Sequence, residues 1–297
     1  MSGKLKEVRE RITSVNSTQQ ITKAMKMVSA AKLRKAQDAI TEMRPYADRL
    51  NKMMKNIFSS LKGDTSSSFS IEREVKKMAI VVITSNRGLA GAFNTNIGKE
   101  TLNLLSNYSD LQKEGKIDLI FVGKKGFDFL KIKANGCHLN KDHITLMQDT
   151  SFDNIAQMSS HLMDAFTLGE YDKIYAVYGQ FKNAAIQEPV AIQFLPVPKI
   201  DIVDTRKKKL KADYIFEPSQ HELLETLIPS ILQTSFHKFV LDTSASEHGA
   251  RMTAMDKATE NADDILKDLK ITYNKARQES ITNEILEIVG GAAALEG

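Results

Sequence analysis

Apolar residues recur at steps of three and four along the first sixty positions. Leu5, Val8, Ile12 and Val15 form one such run, and Ala36, Ile40, Met43, Ala47, Leu50, Met54 and Ile57 form a second. This spacing holds a stripe on one face of a helix and is the seam of a coiled coil. Between the runs, Thr18, Gln19, Gln20, Thr22, Ser29, Ala30 and Ala31 are small or polar, so the seam thins. One helix is predicted from about Lys4 to Ser60, kinked at Pro45, where a backbone hydrogen bond is lost. The stretch KGDTSSSFS (Lys62 to Ser70) then reads as a linker.

The middle of the chain alternates between two periods. Met78 to Thr84 (MAIVVIT), Ile117 to Val122 (IDLIFV), Lys173 to Tyr178 (KIYAVY) and Val190 to Val197 read as strands. The last is flanked by proline in LPVP, which suits an edge or a strand terminus. Helices are predicted near Asn94 to Asn107, Gly126 to Ile132 and Phe152 to Leu168. Alternating strands and helices argue for an α/β layer with a mostly parallel sheet. From about Ser219 to Val289 the pattern is helical again. Leu223, Leu224, Leu227, Ile228, Ile231 and Leu232 make a strongly apolar first section, with Pro229 inside it. Ala258, Ala262, Ile265, Leu269, Thr272 and Ala276 make a second seam of small residues. At ~1.5 Å per residue the two helices reach roughly 80 and 105 Å. Neither stripe supports a helix that long by itself. Antiparallel pairing of the two, with the α/β domain inserted between them, is the simplest solution. The predicted parts are 1–62, a coiled-coil helix; 75–205, the α/β domain; and 215–297, the second coiled-coil helix.

Charge adds one feature. Net charge over the 297 residues is +4, but residues 1–63 hold fourteen Lys/Arg against five Asp/Glu. A basic helix suits nucleic acid, anionic lipid or an acidic protein surface, and also an ordinary solvated face. No apolar run approaches the ~20 residues of a membrane helix. The start, MSGKLKEVRERI, lacks an apolar signal core and has acids unlike a transit peptide. The single cysteine, Cys137, excludes an internal disulfide and a multi-cysteine zinc site.

Candidate chemistry is sparse. Ser85-Asn86-Arg87-Gly88-Leu89-Ala90-Gly91 lies between strand and helix, where phosphate loops occur, but matches neither G-x-G-x-x-G nor the P-loop. A tight βα turn is the alternative reading. Arg87 stands out as a charge at the carboxyl edge of the sheet. Gly123-Lys124-Lys125-Gly126 lacks the upstream glycine and the Ser/Thr of a P-loop. The six histidines have no metal-ligand spacing, and no carboxylate pair or G-x-S-x-G suggests catalysis. No catalytic residue, metal site or cofactor is predicted. The C-terminal end is unusual: Ile281, Ile285, Ile288 and Val289 precede Gly290-Gly291-Ala292-Ala293-Ala294-Leu295. A terminus is normally polar and frayed. An apolar tip either enters a partner's cavity or folds back on its own domain.

Three long motifs resemble the γ subunits of F-type ATP synthases. Ile12 to Gln37 (ITSVNSTQQITKAMKMVSAAKLRKAQ) is similar to that family's first helix, and Ser246 to Asp264 (SEHGARMTAMDKATENADD) to its second. The closing I-T-x-E-x-x-E-x-x-x-G-A-x-A is met by Ile281, Thr282, Glu284, Glu287, Gly291, Ala292 and Ala294. The central SNRGLAGAFN also resembles the family's loop, with Asn86 where Asp and Ala90 where Cys are usual.

The resemblance implies a central rotor stalk that couples ion flow through a membrane ring to conformational change in catalytic β subunits. The stalk performs no chemistry itself; the resemblance gives it two terminal helices in an asymmetric antiparallel coiled coil with a Rossmann-like domain at its base. Implied partners are the α and β subunits of the head, the ε subunit and the c-subunit ring, with no nucleic acid and only peripheral membrane contact. Implied contacts to β are Met25, Lys26, Arg87, Arg277, Gln278 and Thr282. Tyr214, Ile215, Phe216 and Glu217 match the foot that meets ε and the c ring. Ile285, Ile288, Val289, Ala292 and Leu295 form the apolar tip bearing, and the basic first helix faces acidic segments of β. The redox-regulated plant form carries a cysteine pair in an insertion that is missing here. A bacterial source follows as the expectation, with the complex on the cytoplasmic side of the cell inner membrane. Two other classes compete: a nucleotide-binding α/β enzyme with coiled-coil arms, and a nucleic-acid binder using the basic helix, whose affinity would fall steeply with salt.

Overall fold

A computed structural model describes residues 3–60, 68–197 and 220–296. The element order is α1 (Gly3–Ser60), β1 (Met78–Ile83), α2 (Phe93–Ser106), α3 (Ser109–Lys113), β2 (Ile117–Val122), α4 (Lys124–Leu130), β3 (His138–Asn140), α5 (Phe152–Thr167), β4 (Lys173–Phe181), β5 (Gln187–Leu195) and α6 (Gln220–Glu296). The chain divides into two compact units, Met1–Ala30 with Arg251–Gly297, and Ala31–Ala250.

The larger unit is built on a sheet in the order β3-β2-β1-β4-β5. Strands β1, β2, β3 and β4 are parallel, and β5 pairs antiparallel with β4 at the edge. Central β1 (MAIVVI) is apolar throughout because both its faces are covered. On β1, Met78, Ile80 and Val82 join a core with Phe93, Ile97, Leu104 and Leu105 of α2 and Leu130 of α4. Its alternate residues Ala79, Val81 and Ile83 join a second core with Ile155, Leu162 and Phe166 of α5. That second core also takes Ile228, Leu232, Phe236, Phe239 and Val240 from α6. The apolar first section of the C-terminal helix is therefore a covering layer of the sheet. Leu50 of α1 packs with Ile231 and Leu227 in a small third cluster.

Two short elements, α3 and β3, were not legible from periodicity; each is five residues or fewer. Strand β4 runs three residues beyond the predicted Tyr178, because the β4–β5 hairpin keeps pairing to Phe181↔Gln187. Pro189 sits in β5, which is an edge strand and tolerates it. Pro45 and Pro229 lie inside α1 and α6, and both helices continue through them.

In the smaller unit the ends of α1 and α6 pair antiparallel. Lys4 bonds Glu279, Arg9 bonds Tyr273, Gln19 bonds Asp263, Thr22 meets Thr259 and Lys26 bonds Asp256. The α1 stripe does not lapse where it thins. Gln19, Thr22, Lys26 and Ser29 occupy the same three-four steps and are buried or half-buried. On α6 the seam differs from the prediction. Ile265 and Thr272 are exposed, whereas Leu266 and Leu269 are buried and Tyr273 half-buried. The face runs Met255, Thr259, Ala262, Leu266, Leu269, Tyr273 and Ala276, in heptad register.

Candidate functional site

The carboxyl edge of a doubly wound sheet is where ligands usually bind, at the point where strand order reverses. Here that point lies between β1 and β4. The chain fills it with its own atoms. A Cβ added at Gly179, near the end of β4, would stand 2.5 Å from the Phe93 ring and 3.4 Å from Ser246 Cβ. The buried Ser246 hydroxyl of α6 donates to Gly179 O at 3.0 Å.

The turn after β1 is tied down rather than open. Ser85 N–H donates to Asn94 Oδ1 at 3.0 Å, and Ser85 Oγ lies 2.7 Å from Arg87 O. Lys124 N–H donates to Asn86 Oδ1 at 3.2 Å, joining this turn to the one after β2. Gly123 adopts φ +102, and a Cβ there would stand 2.0 Å from Thr84 O. Its glycine is needed for close packing of two strand ends, and Gly126 N–H donates to Thr84 Oγ1 at 2.8 Å. The resemblance to part of a P-loop thus has a packing cause. Arg87 and Leu89 are exposed on this edge, and Leu89 holds φ +62, a strained value for a residue with a Cβ.

The smaller unit carries the remaining candidates. Met25 is half-buried on α1, and the Lys26 ammonium turns onto Asp256 across the helix pair. On α6, Arg277, Gln278 and Thr282 are exposed, and the Thr282 hydroxyl donates to Gln278 O at 3.0 Å. Lys275, Gln278, Glu279, Thr282 and Asn283 line one shallow groove. Helix α6 continues past Glu279, which bonds Lys4 near the start of α1. In that extension Ile285, Ile288, Val289 and Ala292 are exposed, as are Ile281 and Leu286. The helix runs through Gly290 and Gly291 to Glu296. The side chain of Leu295, and all of Tyr214, Ile215, Phe216 and Glu217, lie outside the described residues.

A second apolar surface lies on α1, outside the motif-matched candidates. Ile21, Met27 and Val28 of α1 are 59%, 62% and 57% exposed. Their signal was present: they are apolar residues off the three-four steps that α1 buries. Exposed large apolar residues grouped this way mark contact surfaces.

Among the described residues, no three His, Cys, Asp or Glu come together as a metal site. Cys137 is half-buried, and burial, reinforced by Asp118, pushes its thiol up to about 11. It stays protonated and is a poor nucleophile.

A family model described as ATP synthase matches residues 4–295. An ATP synthase gamma chain of Cytophaga hutchinsonii is 52% identical, covering 98% of both chains. One of Christiangramia forsetii is 53% identical over 99% of both. Among solved structures, a chain of the Euglena gracilis mitochondrial ATP synthase (OSCP/F1/c-ring, rotational state 3) has the same fold. It gives a TM-score of 0.66 at 24% identity, covering 99% of this chain and 95% of that one. The chain therefore belongs to the ATP synthase gamma chain family, the non-catalytic rotor stalk subunits of F-type ATP synthase.

Proposed function

We propose that this rotor stalk turns within a head of three α and three β subunits, with ε and a c-subunit ring at its base. In this reading ion flow through the ring rotates the stalk, and the stalk's asymmetric faces bias the three catalytic sites in turn. A stalk with identical faces would bias all three alike and impose no order. The complex sits peripherally on the cytoplasmic side of a bacterial inner membrane. Full-length bacterial relatives support that placement, and similar chains in mitochondrial assemblies of central stalk, F1 and c-ring support the partners. No helix among the described residues is long and apolar enough to cross a membrane.

The observation that carries the contact assignment is the exposed apolar end of α6. Helical stability in proteins comes mostly from packing of an apolar face, and this end contains two glycines, which weaken a helix. A greasy sleeve in the head would cover Ile285, Ile288, Val289, Ala292 and Leu295 while offering few directional bonds to resist turning. Met25 and Lys26, with the exposed Ile21, Met27 and Val28 beside them, are the α1 residues that approach β, and Lys26 does so while its ammonium holds Asp256. Arg277, Gln278 and Thr282 bond a β loop, and Arg87 meets β from the sheet edge. Tyr214 to Glu217 form the foot against ε and the c ring. Residues 1–62 and 215–297 act as the shaft and 75–205 as the base.

Co-purification tests the reading: tagged chain should bring down two large partners in a 3:3:1 pattern. Tight binding of ATP to the purified chain, or DNA binding that collapses with salt, would instead favour the enzyme or nucleic-acid class. Arg277→Ala should assemble yet lower ATP turnover coupled to rotation, and normal turnover in the assembled variant would refute its role.

A further inference from the structure

We infer that the β4–β5 hairpin grips α6, and that Gly179 and Gly249 are the positioning residues through which base and helix turn as one body. The inference rests on the rotor reading. Helix α6 touches both cores of the larger unit: Phe236, Phe239 and Val240 lie in one, and Ala250 lies in the other. The helix therefore crosses the carboxyl edge of the sheet over about 16 Å between Phe239 and Ala250.

Three contacts fasten it along that crossing. The Phe239 ring stacks on Tyr178 of β4, with centroids 4.6 Å apart. One residue further along β4, Gly179 accepts the Ser246 hydroxyl and has no space for a side chain between Phe93 and α6. Nearly three turns after Phe239, Gly249 faces the hairpin loop. A Cβ there would stand 3.2 Å from Ala184 O and 3.3 Å from Ala184 Cα. Those neighbours are backbone, so they yield only if the loop moves.

The loop is built not to move. Asn183 Oδ1 accepts the N–H groups of Ala185 and Ile186, both at 2.9 Å. Asn183 N–H donates to Ile186 O at 3.2 Å, and Gln187 Nε2 donates to Ala184 O at 2.8 Å. A self-bonded loop pressed on a glycine of a helix transmits force sideways with little give, because close-packed backbone is stiff. The crevice that holds a ligand in other doubly wound folds serves here as a joint.

The test is the ratio of proton pumping to ATP hydrolysis in membrane vesicles holding the assembled complex. Gly249→Ala needs the loop to shift by a few tenths of an ångström, and Gly249→Val needs more. Hydrolysis is expected within about twofold of wild type in both. The pumping ratio is expected to fall at least threefold in Gly249→Val and by an intermediate factor in Gly249→Ala. An unchanged ratio in both, or pumping and hydrolysis falling in step, overturns the grip. If Gly249→Val does not assemble, the Gly249→Ala ratio decides. Failure of the wild-type chain to join the complex would instead sink the rotor reading.

Discussion

The hydroxyls of Thr22 on α1 and Thr259 on α6 stand 2.8 Å apart across the helix pair. Gln19–Asp263 lies on one side of them and Lys26–Asp256 on the other. Each hydroxyl also reaches a carbonyl of its own helix, Gln19 O at 3.0 Å and Met255 O at 2.8 Å. A polar layer in the seam costs stability and fixes register, since a slipped pairing leaves buried groups unpaired. Thr22→Val alone should destabilise by about 1 kcal/mol. The double variant Thr22→Val, Thr259→Val should recover most of that loss, giving a coupling of about 0.5–1.5 kcal/mol. Denaturant unfolding of the four chains followed by circular dichroism measures the cycle; additive losses would argue against a shared bond.

The seam on α6 makes a sharp contrast between neighbours. Leu266 is 5% exposed and Ile265 46%. Leu266→Ala should cost about 2–5 kcal/mol, whereas Ile265→Ala should change unfolding by less than about 0.5 kcal/mol. Equal losses would place the seam as spacing alone suggested.

Near its end α6 carries Gly290 and Gly291, and a Cβ at either meets nothing within 4 Å. Alanine at each should favour the helix by about 1 kcal/mol without a clash. The expected readout is higher helicity at 222 nm and slower proteolysis of the C-terminal end. No change in either would mean that the tip is already held by other means.

His237 gives the fold a sign for its response to acid. Its ring packs edge-on to Phe152 and its Nε2 lies 3.1 Å from Thr150 O. Burial lowers its pKa below 6.5, partly offset by the Thr150 carbonyl. Between the lowered value and 6.5 the unfolded chain binds more protons than the folded one, so stability falls as pH drops through that window. The melting temperature should decline from pH 7.5 to pH 5.5, and His237→Gln should decline less. A parallel decline in both chains would assign the acid response elsewhere, for example to His143, which burial and His161 lower as well.

Periodicity reported the larger plan because a buried stripe and a doubly covered strand each leave a repeat that composition cannot imitate. MAIVVI had to be an interior strand, and the three-four steps of α1 had to face a partner helix. The candidate residues were legible chiefly through motif resemblance. Their exposure was not, since Lys26 and Met27 read alike as parts of one motif yet turn to opposite environments.

Spacing by itself determined that two long helices pair and that an alternating segment forms a sheet, because 3.6-residue and two-residue periods are local properties of the backbone. It did not determine which apolar residue fills the α6 seam. Ala262, Ile265, Leu269 and Ala262, Leu266, Leu269 both satisfy steps of three and four. The partner helix made the choice, since only one face can meet Thr22 and Gln19 at once. Tertiary structure likewise decided that α6 occupies the crevice of the sheet. Gly179 and Ser246 are 67 residues apart, and no local period records a contact made across that distance.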